Sequence, residues 1–221
     1  AAAAITSGLE KAFGEGRVVV MQTNYVGARF SANLAKTAFS LVVLTVLAIL
    51  AYATIRFGFQ YGLGAVIATV HDMLVMICFI VWTRMEFNSS SIAAILTILG
   101  YSINDTIVQF DRVREERRLS PTEKFSDVLN RALTITLGRT VITTLATMIT
   151  VLSIFFFTTG DLHDFSLALF VGMVSGTYST LYIASAFVLG WENIQAKKKA
   201  KDQATPSSSF DAPKKVAPKK A

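Results

Sequence analysis

Charge is what this sequence has least of. Asp, Glu, Lys and Arg make up 16% of its 221 residues, against about 25% in an ordinary soluble domain. A deficit of that size comes from long apolar runs, which read as membrane spans, and mean hydropathy is accordingly +0.51. Cysteine is nearly missing too. Cys78 stands alone, so no disulfide can form within the chain and no zinc site can rest on thiolates. The two histidines, His71 and His163, lie in different segments and make a poor metal set. There is no GxxxxGK[ST] phosphate loop, no HExxH and no spacing like that of a Ser/His/Asp nucleophile site. We therefore expect no enzyme: no catalytic residue, no metal and no cofactor. The net charge is +6, but eight of the 21 Lys and Arg follow Trp191. A nucleic-acid binder spreads its basic residues over a folded surface, so no nucleic-acid partner is expected.

Five apolar stretches are long enough to cross a hydrocarbon core of roughly 30 Å. They run over about residues 37–55, 61–83, 89–110, 140–158 and 165–190, the last ending at Trp191, a natural interfacial anchor. This predicts an all-α integral membrane bundle. Counting Lys and Arg between the spans gives its orientation. Arg56, the cluster Arg112, Arg114, Arg117, Arg118, Lys124 and Arg131, and the Lys-rich tail fall on one side, which places the C-terminus in the cytoplasm. Five spans then place residues 1–35 outside. Within that outer segment Arg17 to Thr23 (RVVVMQT) reads as a strand. One strand cannot stand alone, so it is expected to close an external α+β domain, with a disordered leader as the alternative. The chain opens Ala1-Ala2-Ala3-Ala4 with no signal peptide, and we expect further sequence upstream.

Between the third and fourth spans, Ser120-Pro121-Thr122-Glu123 has the form of a capping box with Pro at the first helical position. Phe125, Val128, Leu129, Leu133 and Leu137 follow at helical spacing. An amphipathic helix is expected over about 121–138, lying on the cytoplasmic face. Residues 193–221, rich in Lys, Ala, Pro and Ser, are expected to be a disordered basic tail, either solvated or held near anionic lipid at about 1 kcal/mol per basic residue.

Asp105 is the main functional candidate. It lies inside the third span, with Ser102 at i−3 and Gln109 at i+4 on the same helix face. A carboxylate in hydrocarbon costs about 2.5–3.5 kcal/mol on insertion scales. A proton carrier coupled to helix movement would justify that cost, and a permanently paired carboxylate holding helices in register is the alternative. Arg139, at the start of the fourth span, is either its partner or a side chain snorkelling to lipid phosphates. Thr136, Thr140, Thr143, Thr147 and Thr150 form a stripe on that helix, whose hydroxyls can bond neighbouring helices or water. His71 and Asp72, near the middle of the second span, either extend a proton path or bond an adjacent helix. Adjacent residues diverge by about 100°, which argues against both facing one site. Gly172 and Gly176, at i and i+4 in the fifth span, are read as a close-packing face.

Five segments, in order, carry a resemblance: VGARFSANL (26–34), GAVIATVHDMLV (64–75), GYSINDTIVQFDRVRE (100–115), LGRTVITT (137–144) and GMVSGTYSTLYIAS (172–185). Over about residues 17–192 the chain resembles the SecD/SecF family of bacterial protein-export membrane proteins, on the SecF side. The resemblance implies half of an RND-type transporter, with six spans and a periplasmic domain between the first two. This chain would hold spans two to six and the end of that domain. It further implies a multi-pass protein of the bacterial cytoplasmic membrane, with SecD, the SecYEG channel, YajC and preproteins as partners. The proton-motive force would drive assistance to preprotein export. On this resemblance Asp105 matches the family's essential intramembrane Asp, Arg139 its conduction-linked Arg, and His71-Asp72 its HD pair, whose role stays open; from their positions, His71, Asp72, Ser102, Gln109, Thr140 and Thr143 are the candidate supporting residues. Gln109 and Gly138 depart from the family pattern. Two other functions stay open: a structural scaffold subunit without ion chemistry, and half of an RND-type small-molecule exporter.

Overall fold

The computed structural model describes residues 2–14, 17–19 and 28–204. Within them every regular element is helical: α1 (Ala2–Phe13), α2 (Ala28–Phe57), α3 (Phe59–Thr83), α4 (Ser89–Leu119), α5 (Phe125–Phe157), α6 (Asp161–Tyr178) and α7 (Ser185–Ala204). A π-helical stretch, Ser179–Ala184, joins α6 to α7 without a break. The chain divides into two compact units, residues 1–43 and 44–221.

In the first unit, α1 leaves Ile5, Leu9 and Phe13 exposed at helical spacing. The expected strand is not found where it can be seen. Arg17 to Val19 are irregular, and Val20 to Thr23 lie outside the described residues. A strand is held by its pairing partner, and the described residues contain none.

Five helical segments are long and apolar enough to cross a membrane: Asn33–Phe57, Phe59–Thr83, Ser89–Leu119, Phe125–Phe157 and Asp161–Lys201. Their turns follow local chemistry. Gly58, at φ 112°, occupies a region open to glycine and closed to most side chains, and so reverses the chain between α2 and α3. Arg84 ends α3 in the left-handed conformation, its N–H reaching the carbonyls of Ile80 and Val81. Asn88 then caps α4, accepting from the N–H of Ser90 at 2.9 Å and of Ser91 at 3.0 Å.

Several helices outrun the apolar stretches that predicted them. α4 has 31 residues and α5 has 33, so each is roughly 45–50 Å long at 1.5 Å per residue, well beyond the hydrocarbon thickness. The predicted amphipathic helix is not a separate element. It is the first part of α5, which runs unbroken into the fourth span. The capping box does not form. Ser120 instead ends α4 with φ −131° and ψ 69°, non-helical as the residue before a proline prefers, and Lys124 becomes the first cap of α5. Arg131 takes the polar groups intended for the box, donating to Ser120 Oγ at 3.0 Å and to Glu123 Oε2 at 2.9 Å. The expected disorder from residue 193 is also corrected. α7 continues to Ala204 because Ala, Lys and Gln are good helix formers. Residues 205–221 lie outside the described residues.

In the second unit α6 is the central rod, packed against α3, α4 and α5. Lipid tails offer no hydrophobic force between helices, so close approach at small residues does that work. A Cβ on Gly172 would come within 2.5 Å of Ile98 and 2.7 Å of the Met76 sulfur. Nearer the end of the bundle that carries the α4–α5 turn, Phe110 of α4 packs with Ala65 and Ala68 of α3, Leu129 of α5 and Val188 of α7. α5 turns Ile142, Leu145, Ile149 and Phe157 outward.

Candidate functional site

At mid-bundle the most enclosed charged side chain is Asp72, fully buried on α3. Three serine hydroxyls donate to it from two directions. Ser102 of α4 reaches Oδ2 at 2.6 Å, Ser179 of the π stretch reaches the same oxygen at 2.7 Å, and Ser175 of α6 reaches Oδ1 at 2.9 Å. His71 Nδ1 lies 3.3 Å from Oδ1. A carboxylate offers about four acceptor positions, so this one is filled. Of the two readings of this pair, bonding to adjacent helices is what Asp72 does here, and the divergence of adjacent residues does not keep His71 Nδ1 from its neighbour's carboxyl group. Gly176 makes room for the cluster, since a Cβ there would stand 3.2 Å from that of Ser102 and 3.7 Å from Asp72 Oδ2.

Asp105 lies one turn further along α4 from Ser102, and is 8% exposed. Among the described residues nothing donates a hydrogen bond to its carboxyl group, and no cation lies within 4.0 Å of it. Arg139 of α5 is exposed and forms no ion pair with Asp105. Gln109, a turn below Asp105, is 1% exposed, and neither of its amide atoms has a hydrogen-bond partner.

The threonine stripe on α5 behaves differently from its expected role. Thr136, Thr143, Thr147 and Thr150 turn their hydroxyls back to carbonyls of their own helix, at 2.9 to 3.4 Å. Spacings of three and four satisfy each hydroxyl locally before a neighbouring helix can compete. Thr143 is exposed, whereas Thr140 is fully buried with its hydroxyl unpartnered. Bonds between helices come from threonines outside that stripe: Thr106 with Thr180 at 3.1 Å and Thr144 with Thr177 at 3.4 Å. Among the described residues no three His, Cys, Asp or Glu side chains gather in a way that could hold a metal ion.

Where α4 ends and α5 begins, their long tips share a charge cluster. Glu116, 5% exposed, is held by Arg112 at 2.5 Å and Arg131 at 2.7 Å. Arg56 pairs with Asp111 at 2.9 Å, and Arg114 donates to the Arg56 carbonyl at 2.7 Å.

Residues 7–194 match the family described as protein export membrane protein SecD/SecF, C-terminal. The chain belongs to the SecD/SecF family. It is 48% identical over 184 residues to protein translocase subunit SecF of Treponema pallidum, covering 83% of this chain and 44% of that one. It is 37% identical over 193 residues to protein translocase subunit SecDF of Thermus thermophilus, covering 87% of this chain and 26% of that one. The crystal structure of SecDF, a translocon-associated membrane protein from Thermus, superposes with a TM-score of 0.78 at 37% identity, over 85% of this chain and 26% of that one. The super-membrane-facing form of SecDF gives 0.76 at 34% identity. This SecD/SecF-family chain thus spans under half the length of the Treponema relative, and about a quarter of the SecDF chains. Five long apolar helices and membership of this family make it a multi-pass membrane protein.

For this family member, sequence reasoning missed Ser175 and Ser179 as partners of Asp72. A signal was present: Ser175 and Ser179 stand three residues after Gly172 and Gly176 respectively, at the same spacing of four, beside a face already read as close-packing. The π stretch also went unforeseen. It widens the turn that carries Ser179 and Thr180, and insertions of this kind recur at functional sites.

Proposed function

We propose that this chain is a SecF-like accessory subunit of the Sec protein translocase. With a SecD partner it uses the proton-motive force to assist preprotein export at the SecYEG channel, with YajC as an associated component. The names of the relatives support the translocase reading, and the single-chain SecDF of Thermus supports the SecD pairing. The six arginines Arg56, Arg112, Arg114, Arg117, Arg118 and Arg131 at one end of the bundle support a cytoplasmic C-terminus and a periplasmic N-terminal segment by charge bias.

The observation that carries the proton reading is Asp105 itself, 8% exposed within a span, whose carboxyl group accepts no hydrogen bond among the described residues. Such a group is free to change protonation without breaking a bond that holds the bundle. One proton charge crossing the field supplies about 2.3 kcal/mol per 100 mV, enough to shift a two-state helix arrangement more than tenfold. Protonation of Asp105 from outside, rearrangement against Arg139 and release inside form the cycle.

The test is Asp105→Asn in the assembled complex, read by proton-dependent stimulation of preprotein export into inverted vesicles. We expect an intact complex and no stimulation. Unimpaired stimulation refutes the proton role. Loss of partner association on a pull-down favours the scaffold reading instead, in which the Asp105–Arg139 pair specifies assembly.

A further inference from the structure

We propose that Gln109 is the switchable hydrogen-bond partner of Asp105, serving both of its protonation states from one turn away on α4. The inference rests on the proton role given to Asp105 above. Two independent observations meet here. The Asp105 carboxyl group has no hydrogen-bond partner among the described residues although the residue is 8% exposed. The Gln109 side chain is 1% exposed, and both Oε1 and Nε2 are unpartnered. Burying an amide without a hydrogen bond costs roughly 1–3 kcal/mol on the scale of protein mutations. An apolar side chain would fill the same space at no such cost, so packing gives no account of a glutamine there.

The spacing supplies the account. Residues four apart on a helix bring their Cβ atoms to about 5–6 Å, and Gln with Asp at that spacing is a known hydrogen-bonding pair. The terminal torsion of glutamine is broad and roughly two-fold, so the amide turns over in place. It holds both roles in one group, two N–H donors and a carbonyl acceptor. With Asp105 ionised, Nε2–H donates to the carboxylate. With Asp105 protonated, the carboxyl O–H donates to Oε1. The proton stays on Asp105 while the amide turns, and Gln109 is a positioning residue rather than a carrier. The neighbouring elements lack a group that travels with Asp105, as Gln109 does on the same helix. α5 offers Arg139, which forms no ion pair with Asp105, and Thr140, whose buried hydroxyl is unpartnered but belongs to a separate helix. α3 offers His71 and Asp72, which are occupied with each other and the serines. The hydroxyls of α6 and the π stretch nearest Asp72, Ser175 and Ser179, are likewise engaged.

The test is difference infrared spectroscopy, acid minus alkaline, on the full-length subunit with its partner in proteoliposomes. The variants are Gln109→Met, which keeps the length without the amide, and Gln109→Asn, which keeps the amide without the reach. In the wild type we expect a carboxyl C=O band that Asp105→Asn removes. In both Gln109 variants that band should move to higher frequency, as a carboxyl group does on losing its hydrogen bond, while the complex stays assembled. An Asp105 band unmoved in both variants overturns the inference and leaves the proton role standing. A wild-type spectrum with no band removable by Asp105→Asn overturns both.

Discussion

Two carboxylates in one bundle meet opposite fates. Asp72 and Asp105 sit on neighbouring helices and are linked through Ser102, which bonds the first and stands three residues before the second. Both lie where an ionisable group costs several kcal/mol unless paired. Asp72 meets that cost with three hydroxyl bonds from two other segments, each of which also holds helices together. Asp105 meets it with none. The contrast separates a group that fixes the bundle from a group able to change state within it. Identity and depth alone do not distinguish the two; the partners do.

The largest effect that would break this contrast is functional. Asp105→Asn should remove proton-dependent export while assembly survives, and Asp72→Asn should not reproduce that separation, because its loss acts through the fold. A Asp72→Asn variant with full assembly and no export would place both groups on the proton path. The next effect is on stability. Asp72→Ala removes three bonds between helices, each worth about 0.6 and at most about 1.7 kcal/mol in a membrane, so reversible unfolding in mixed micelles should show a loss of about 2–5 kcal/mol. Asp105→Ala, which removes no hydrogen bond, should cost much less. Equal losses would show that Asp105 is pinned as firmly as Asp72. The close-packing face comes third. Gly172→Ala places a methyl within 2.5 Å of Ile98 and should cost about 1–3 kcal/mol, as overpacking does. Gly176→Ala meets Ser102 at 3.2 Å, so it should cost less but disturb the Asp72 cluster directly, visible as weaker protection of the α3–α4 contact in hydrogen exchange.

Much of this was legible in the sequence, for physical reasons that can be named. Five apolar runs between charged residues predict five spans because hydrocarbon thickness imposes their length. The site face of α4 was legible because Ser102, Asp105 and Gln109 repeat with the helix. What escaped depends on contacts between segments distant in sequence. Ser175 and Ser179 meet Asp72 across 103 and 107 residues, and no local pattern encodes that meeting. The capping box failed for the same reason: Arg131, eleven residues beyond Ser120, outcompetes the local bond. The fourth span and its leading helix looked separate because composition changes at Arg139, whereas backbone hydrogen bonding continues through it.

The end of the bundle where α4 meets α5 offers the smallest and sharpest contrast. Arg56 and Asp111 form a close pair at 2.9 Å, yet their side chains are 47% and 58% exposed. Water and salt screen such a pair, and pairs of this kind are worth about 0–1 kcal/mol. Glu116 makes contacts of similar length to Arg112 and Arg131 but its side chain is only 6% exposed, so removing its charge takes away the buried contact of each guanidinium and leaves Arg112 and Arg131 only their more exposed partners, Glu115 and Glu123. Arg56→Ala should therefore change unfolding free energy by less than about 1 kcal/mol, and the change should vanish in high salt, where the screening length falls to about 3 Å at 1 M. Glu116→Gln should lower stability more, and that loss should persist in salt. If the two variants respond alike to added salt, the Glu116 cluster is as open to water as the Arg56 pair, and it does not lock the tips of α4 and α5 together.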